Sequence, residues 1–219
     1  FSPKLEEDSE LLDQMTSVIV RQTGDLRRIV DEFSKFARMP EPERKRQDLS
    51  AIVRDAVMLQ QTGQPGVTFE IDMPDHEIAS DLDATMISQA LTNLIKNAGE
   101  AIETLQEKGA PEGHVPMIEI RLSNDGPQSV ITIADNGIGL PEDRARLFEP
   151  YVTNRSEGTG LGLPIVKKII EEHGGTLSLE DAPIFEGQSN YGAMAVIHLP
   201  SIPIQKEAAV HEEGILSHE

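Results

Sequence analysis

Four short clusters of amides, carboxylates and glycines could hold a phosphorylated ligand, and they follow one another between residues 93 and 163. The first is Asn93-Leu-Ile-Lys-Asn97, in which the spacing of four places both amides on one face of a helix. An amide oxygen is a hard, neutral ligand that suits Mg²⁺ shared with phosphates. The second, Asp135-Asn-Gly-Ile-Gly139, follows a predicted strand, and its carboxylate could accept a hydrogen bond from an amino group such as that of adenine.

The other two clusters lie close together and precede a predicted helix. Gly158-Thr-Gly-Leu-Gly-Leu163 could bind an anion, because a glycine-rich loop at a helix start presents backbone N–H donors. Leu147-Phe-Glu-Pro-Tyr-Val-Thr-Asn-Arg155 lies just before it, and Arg155 could reach a terminal phosphate. Each cluster alone has a plainer interpretation: a solvated helix face, a turn, or one more surface cation. Only the four together, in this order, are specific.

The elements that must position these clusters begin with one long N-terminal helix. Apolar residues recur at spacings of three and four from Leu12 to Phe36, with a polar interruption at Gln22. This narrow stripe favours a coiled-coil or four-helix-bundle strand that dimerises over a helix buried in a single domain. Pro40 and Pro42 end the helix, because proline has no backbone N–H to donate.

The rest of the chain mixes helices and strands. The patterns predict helices at 50–61, 86–105 and 163–173, and strands at 67–71, 118–122, 130–134, 176–179 and 193–199. Ser80-Asp-Leu-Asp83 has the form of a capping box that opens the second helix, and His173 is interpreted as a helix-end cation. We therefore predict an α/β protein: a two-layer α/β sandwich with a mixed sheet and helices on one face. Residues 201–219 show no periodicity, which predicts a mobile tail.

Composition excludes several classes of function. The 219 residues are 38% hydrophobic and 26% charged, as in globular proteins. The chain has no cysteine, which excludes disulfide scaffolds, thiol catalysis and Cys-based zinc sites. The net charge of −19 argues against duplex nucleic acid as a partner, although it does not exclude one small anion in a local pocket. No apolar stretch reaches the roughly 18 residues of a membrane span, so we expect no membrane contact by this chain.

The four clusters resemble motifs of the sensor histidine kinases and, more widely, of the ATPase superfamily of gyrase, Hsp90 and MutL. Residues 91–98 resemble the N box, 135–139 the first glycine box, 147–150 the F box and 158–163 the second glycine box. The helix that ends before Pro40 resembles the second helix of the family's dimerisation domain, especially in nitrogen-regulation sensors of the NtrY type. The resemblance implies a Bergerat-type ATP-binding fold preceded by one long dimerisation-type helix. It divides the chain into an incomplete dimerisation and phosphotransfer domain (1–45), an ATP-binding catalytic domain (46–200) and a flexible tail (201–219).

The resemblance also assigns roles to single residues, with ATP and Mg²⁺ as the implied ligands. Asn97 would ligate Mg²⁺, Asn93 would support the water network of the site, and Asp135 would read the adenine amino group. Arg155 would face the γ-phosphate, and it joins the two asparagines as the implied catalytic residues. The resemblance also implies a mobile lid over the phosphates, residues 153–162. The other implied nucleotide contacts lie in the two glycine boxes and this lid: Gly137, Ile138, Gly139, Thr153, Gly158, Thr159, Gly160, Leu161 and Gly162. Hydrolytic relatives carry a Glu where this chain has Asn93, and an amide is a poor base, which favours transfer over hydrolysis.

The implied function is that of the kinase portion of a two-component sensor histidine kinase. Such a portion donates the γ-phosphate of ATP to a histidine, for relay to an aspartate of a response regulator. None of the six histidines lies in the family's His-Glu/Asp-x-x-x-Pro context, so we expect a fragment of a longer kinase that does not autophosphorylate alone. We also expect a homodimer through the Leu12–Phe36 seam, a cytoplasmic location, and a parent protein anchored in a bacterial inner membrane.

Two other interpretations stay open at this point. One is an ATPase or protein kinase of the same superfamily with a different acceptor. The other is a degenerate ATP fold that serves as a dimerisation or interaction module.

Overall fold

A single long helix precedes the sheet-containing part of the chain. The computed structural model describes residues 3–152, 159–187 and 191–202. Helix α1 spans Pro3–Ala37 and ends before Pro40, as the prolines predict. Along its seam, Leu12, Met15 and Leu26 are 55–65% exposed, so this chain alone leaves those apolar side chains open to solvent. The predicted end of the seam, the side chain of Phe36, lies outside the described residues.

The strands form one mixed five-stranded sheet and one small two-stranded sheet. The order in the larger sheet is 2-4-5-7-6, and only strands 2 and 4 are parallel. The seven strands in the described part of the chain are β1 (Lys45–Asp48), β2 (Thr68–Asp72), β3 (Ala79–Leu82), β4 (Met117–Asp125), β5 (Gln128–Asp135), β6 (Thr176–Asp181) and β7 (Ala193–Pro200).

Three α-helices cover one face of the larger sheet and form the core with it. They are α2 (Leu49–Gly63), α3 (Ala84–Gly109) and α4 (Gly162–Glu172), and a 3₁₀ helix, η1 (Arg144–Phe148), precedes α4. Alternate strand residues point toward the helices because side chains alternate across a strand. In register, Ile120 faces Ile133, which faces Ala195. Each large apolar side chain buried here contributes about 1.5–3 kcal/mol relative to exposure. The α/β sandwich with helices on one face is confirmed.

The two-stranded sheet is the part of the fold that the sequence patterns missed. β1 pairs with β3 in antiparallel fashion, with Asp48 opposite Ala79. The sequence of β1, Lys-Arg-Gln-Asp, has no apolar alternation, because neither of its faces enters the main core. Asp48 also caps α2 by accepting a hydrogen bond from the backbone N–H of Ser50 at 2.9 Å.

Two local predictions were wrong. The capping box was placed on Ser80, but this residue lies inside β3 and is fully buried. Asp83 is the N-cap of α3, and its Oδ1 accepts hydrogen bonds from the backbone N–H of Thr85 and Met86. His173 is not a helix-end cation: it is 2% exposed, and its Nε2 accepts a hydrogen bond from the backbone N–H of Asp83.

Within the described ranges, no helix combines the length and the apolar character needed to cross a membrane. The predicted tail falls almost wholly on residues 203–219, which lie outside those ranges.

Candidate functional site

The carboxylate of Asp135 is buried at the end of β5, where the residue is 4% exposed. Its Oδ1 accepts hydrogen bonds from the backbone N–H of Gly137 at 2.8 Å and of Ala193 at 3.4 Å. Its Oδ2 accepts none from the residues that the structure describes. Burial raises the pKa of Asp135 to about 7, although the two backbone donors act in the opposite direction. Asp135 is thus a buried acid whose Oδ1 is held by two backbone N–H groups.

The glycines that follow Asp135 pack directly on backbone. A Cβ at Gly137 would lie 2.5 Å from the carbonyl carbon of Ala101 in α3, and the N–H of Ile138 donates to the oxygen of the same Ala101 at 3.2 Å. Gly139 has φ +73°, a conformation that L side chains rarely adopt. The first glycine box therefore rests on the backbone of α3 and cannot carry larger residues at these points.

A third glycine closes the space behind Asp135, and sequence reasoning gave it no role. A Cβ at Gly192 would lie 1.7 Å from the backbone oxygen of Asp135. Gly192 immediately precedes β7, and its own oxygen accepts a hydrogen bond from the N–H of Ala182 at 3.0 Å. Gly192 lies 57 positions after Asp135 in the chain (192 − 135 = 57), so only the fold brings the two together.

Asn136, between the aspartate and the glycines, holds the loop together. It is 1% exposed, its Nδ2 donates to the oxygen of Val115 at 2.7 Å, and its Oδ1 accepts from the N–H of Met117 at 3.0 Å. His114 Nε2 lies 3.0 Å from the oxygen of Asn136 and must donate, since a carbonyl only accepts. The side chain of Asn136 thus fixes the loop before β4 to the end of β5.

The two asparagines of the first cluster lie half-buried on α3, one turn apart. Ala101, on which Gly137 packs, is one further turn along, so Asn97 lies about 6 Å along the helix axis from that contact. The first two clusters are therefore brought together: the amide face of α3 and the loop after β5 border the same region. In the described part of the chain, no group of three or more Asp, Glu or His side chains could hold a metal ion.

The second glycine box is fixed at one end of the lid. A Cβ at Gly160 would lie 2.6 Å from the carbonyl carbon of Tyr151, and the N–H of Tyr151 donates to the oxygen of Gly160 at 3.1 Å. Leu161, next in the chain, is fully buried. These contacts hold Gly160 against Tyr151, which lies nine positions before it in the chain. Three predicted contacts, Thr153, Arg155 and Gly158, lie outside the described residues.

Helix α4 begins directly after Leu161, its N-cap residue, which makes no side-chain cap hydrogen bond. Pro164 has no backbone N–H and the N–H of Ile165 donates to the oxygen of Leu161, so only Gly162 and Leu163 remain as N–H donors in this first turn. A Cβ at Gly162 would meet no atom of the described residues within 4 Å. Packing against these residues therefore does not require the glycine at this position.

The segment before the lid is anchored on both sides by residues that sequence reasoning missed. Lys167 of α4 lies over the ring of Phe148, with Nζ 5.1 Å from its centroid. Arg144 Nη2 donates to both carboxylate oxygens of Asp181 in β6, at 2.7 and 2.9 Å. Phe148 could have been singled out from the sequence, because it lies in the F box. Its partner Lys167 and the Arg144–Asp181 pair could not, because the residues of each pair are far apart in the sequence.

Residues 82–203 match the family model described as Histidine kinase-, DNA gyrase B-, and HSP90-like ATPase. The chain belongs to this family. The matched segment is more than half of the chain, and it contains every residue of the site described above.

Known relatives place the domain more closely. The nitrogen regulation protein NtrY of Azorhizobium caulinodans is 49% identical over 184 residues, which are 84% of this chain and 23% of that protein. The catalytic domain of histidine kinase ThkA in a nucleotide-free form has a TM-score of 0.57 at 26% identity, covering 72% of this chain and 95% of that one. ThkA in complex with the response regulator protein TrrA has a TM-score of 0.63 at 22% identity, covering 89% and 53%, which shows the fold alone.

The family resemblance is therefore confirmed: this is a histidine-kinase ATPase domain of the type found in NtrY proteins. The chain spans between 23% and 33% of the length of the first curated relatives it matches.

Proposed function

We propose that this chain is the ATP-binding kinase portion of a two-component sensor kinase. It binds Mg-ATP and donates the γ-phosphate to a histidine, for relay to an aspartate of a response regulator. The observation that carries the proposal is the buried Asp135 carboxylate, whose Oδ2 accepts no hydrogen bond from a described residue and which is enclosed by Gly137 and Gly192 beside the amide face of α3.

Asp135 binds the adenine base. Oδ1 is held by two backbone N–H groups, so Oδ2 is oriented to accept a hydrogen bond from the exocyclic amino group. The glycines at 137 and 139 leave the base room to approach the backbone, and Ile138, which is 43% exposed, covers it.

Asn97 holds Mg²⁺ through its amide oxygen. Mg²⁺ prefers oxygen ligands and keeps several waters and phosphate oxygens in its shell, so one protein amide is a sufficient anchor. The absence of a carboxylate or histidine cluster among the described residues fits such a cation, bound mainly through the nucleotide. When bound, Mg²⁺ neutralises charge that develops on the phosphates.

The phosphates lie toward the start of α4. The N–H groups of Gly162 and Leu163 at this helix start, and the space over Gly162 that no described atom fills, fit an anion there. Thr159, Gly160 and Leu161 position that start from the base of the lid. We assign Thr153, Arg155 and Gly158 to the same lid, with Arg155 facing the γ-phosphate.

The site transfers the phosphoryl group and does not hydrolyse ATP efficiently. Asn93 occupies the helical position one turn before Asn97, where a carboxylate would be needed to activate water. Phosphoryl transfer needs positioning and charge stabilisation, which amides, glycines and one cation supply.

The α1 seam forms the dimer interface, in a bundle with a second copy of the chain. Its support is the exposure of Leu12, Met15, Ile19 and Leu26 along a 3.5-residue repeat. We predict that Leu26→Lys lowers self-association at least about tenfold, because a charge at a seam position must be desolvated. Analytical ultracentrifugation measures this, with the exposed off-seam Arg27→Lys as the control. A parent chain that is monomeric at all concentrations would contradict the proposed dimer.

Because the substrate is ATP and the partner a response regulator, we place the domain on the cytoplasmic side of a membrane-anchored bacterial kinase.

Phosphotransfer to a supplied acceptor tests the proposed reaction. The chain is incubated with γ-labelled ATP, alone and with a protein that carries a dimerisation helix with a His-Glu-x-x-x-Pro motif. We expect acid-labile label on the histidine of the added protein and none on the chain alone. An added protein without that histidine is the control. Stable histidine phosphorylation of the chain alone would contradict the proposal, and ATP binding without any transfer would favour the interaction module.

A further inference from the structure

Helices α3 and α4 are joined at the ends that lie away from the nucleotide site. The backbone N–H of Asp83, the N-cap of α3, donates to Nε2 of His173 at 2.9 Å. His173 follows directly after α4, and its Nδ1–H donates to the oxygen of Ile169 at 2.7 Å. A backbone N–H can only donate, which fixes the ring with Nε2 as acceptor. The imidazole is 2% exposed, so this junction is a fixed part of the core.

The junction lies at the start of α3 and the end of α4, whereas the proposed site borders the middle of α3 and the start of α4. Asn97 lies 14 residues after Asp83, about 21 Å along α3, and Gly162 begins α4 about 16 Å before His173. A hydrogen bond between one helix start and the other helix end fixes how far α3 can slide along α4. That axial register sets the separation between the amide face of α3 and the second glycine box.

The segment that follows α1 is attached to this junction. The N–H of Glu43 donates to Asp83 Oδ2 at 3.0 Å, while Oδ1 of the same carboxylate caps α3. The neighbouring Arg44 donates through Nη2 to the backbone oxygen of Glu172, the last residue of α4. Each helix thus receives one contact from residues 43–44.

The two oxygens of Asp83 have separate tasks. Oδ1 suffices to cap α3, so the Oδ2 contact with Glu43 is not needed for the helix itself. Burial raises the pKa of Asp83, but the backbone donors of Met86, Glu43 and Thr85 outweigh it and hold the pKa below its usual value. The carboxylate is therefore charged at neutral pH and strengthens the contact with Glu43.

We propose that Asp83 is a positioning residue that couples the segment after α1 to the nucleotide site. Through Oδ2 it transmits the position of residues 43–44 to the register of α3 on α4, and so to the distance between Asn97 and the second glycine box. The proposal rests on the proposed nucleotide site and adds the route by which the preceding helix regulates it.

Two substitutions break the same contact from opposite sides. Asp83→Asn keeps an oxygen for the helix cap, since Asn and Asp are equivalent N-caps, and replaces Oδ2 with a group that cannot accept. Glu43→Pro removes the donating N–H. Glu41→Pro is the matched control, because the N–H of Glu41 makes no hydrogen bond to a described residue.

The experiment is a double-mutant cycle on Mg-ATP affinity, measured by calorimetry on the full chain, with urea unfolding as a check of the fold. We expect each single variant to bind ATP about fivefold more weakly and the double variant no more weakly than either one, since both remove one contact. Glu41→Pro should match the parent chain.

Amide hydrogen exchange supplies a second readout. The coupling predicts faster exchange at Leu161 and Gly162 in Asp83→Asn, although this substitution lies at the far end of the helices. Single variants with ATP affinities within about twofold of the parent, or effects that multiply in the double variant, would overturn the coupling. Failure of the parent chain to bind ATP would instead overturn the proposed function and this inference with it.

Discussion

The two glycine boxes differ in what makes their glycines necessary. In the first box, Gly137 touches the backbone of α3 and Gly139 has a positive φ, and Gly192 presses on Asp135 from behind. In the second, Gly160 is fixed in the same way, but Gly162 has open space above its Cα. The comparison shows that packing within the protein already shapes the proposed adenine-binding side of the site, formed by Asp135, the first glycine box and Gly192, without a ligand. The proposed phosphate side leaves a free surface at the start of α4.

Gly192→Ala should give the largest effect, on folding. Its Cβ would fall 1.7 Å from the backbone oxygen of Asp135, a backbone atom that cannot move without disturbing β5 and β7. We expect a loss of about 3 kcal/mol or more in the free energy of unfolding, as for other overpacked or strained core sites. Urea denaturation measures it. A decrease in the free energy of unfolding of less than about 1 kcal/mol would contradict the claim that the Gly192–Asp135 contact shapes the adenine-binding side.

Asp135→Asn should separate binding from stability. We expect ATP affinity at pH 8, where the carboxyl group is ionised, to fall about 10- to 100-fold, since a hydrogen bond to a charged group contributes about 1.5–3 kcal/mol. The exposed Asp143, which makes no cap hydrogen bond, provides the control Asp143→Asn, for which no change in ATP affinity is expected.

The same variant predicts a pH dependence of stability. Because the pKa of Asp135 is about 7 in the folded state against an ordinary value of 3.8, the folded state holds a proton more tightly than the unfolded state. Ionisation therefore costs the parent chain stability as pH rises from about 4 to 7, and the cost is complete above 7. Asp135→Asn should be more stable than the parent by about 1–4 kcal/mol at pH 8 and by little at pH 4. A difference that does not grow with pH would contradict the buried, unpaired carboxylate.

Gly162→Ala should have the smallest effect, on binding alone. The methyl group meets no protein atom, and alanine favours a helix over glycine by about 0.5–1 kcal/mol, so the fold should be as stable or slightly more so. We expect ATP affinity to fall about three- to tenfold if phosphates approach the start of α4. Calorimetry with ATP and with adenosine distinguishes the two sides, since adenosine binding should not change. Unchanged ATP affinity would contradict the proposed position of the phosphates at the start of α4.

Sequence reasoning was most successful where one element carries the pattern. The long helices, the five strands of the larger sheet and the α/β class all followed from periodicity, and the order of the four clusters indicated the family. The strand β1 was missed because four polar residues in a two-stranded sheet show no alternation. The cap was placed on Ser80 because Ser80 and Asp83 are equally good capping residues, and only the pairing of β3 decides between them.

Contacts between distant residues could not be predicted. Gly192 is an ordinary glycine until the fold places it behind Asp135. His173 resembles a helix-end residue until the start of α3 is brought to its Nε2. The roles of Asn93 and Asn97 stay predictions that rest on the family resemblance and on their half-buried place beside the first glycine box.

The central claim is that the amide face of α3 and the loop after β5 hold Mg-ATP between them. Calorimetric titration of ATP with and without Mg²⁺, on the parent chain and on Asn97→Ala, tests it most directly. We predict that Mg²⁺ raises the ATP affinity of the parent at least about tenfold and leaves that of Asn97→Ala unchanged, while the variant stays folded by circular dichroism. An Asn97→Ala chain that keeps the full Mg²⁺ dependence would contradict the account.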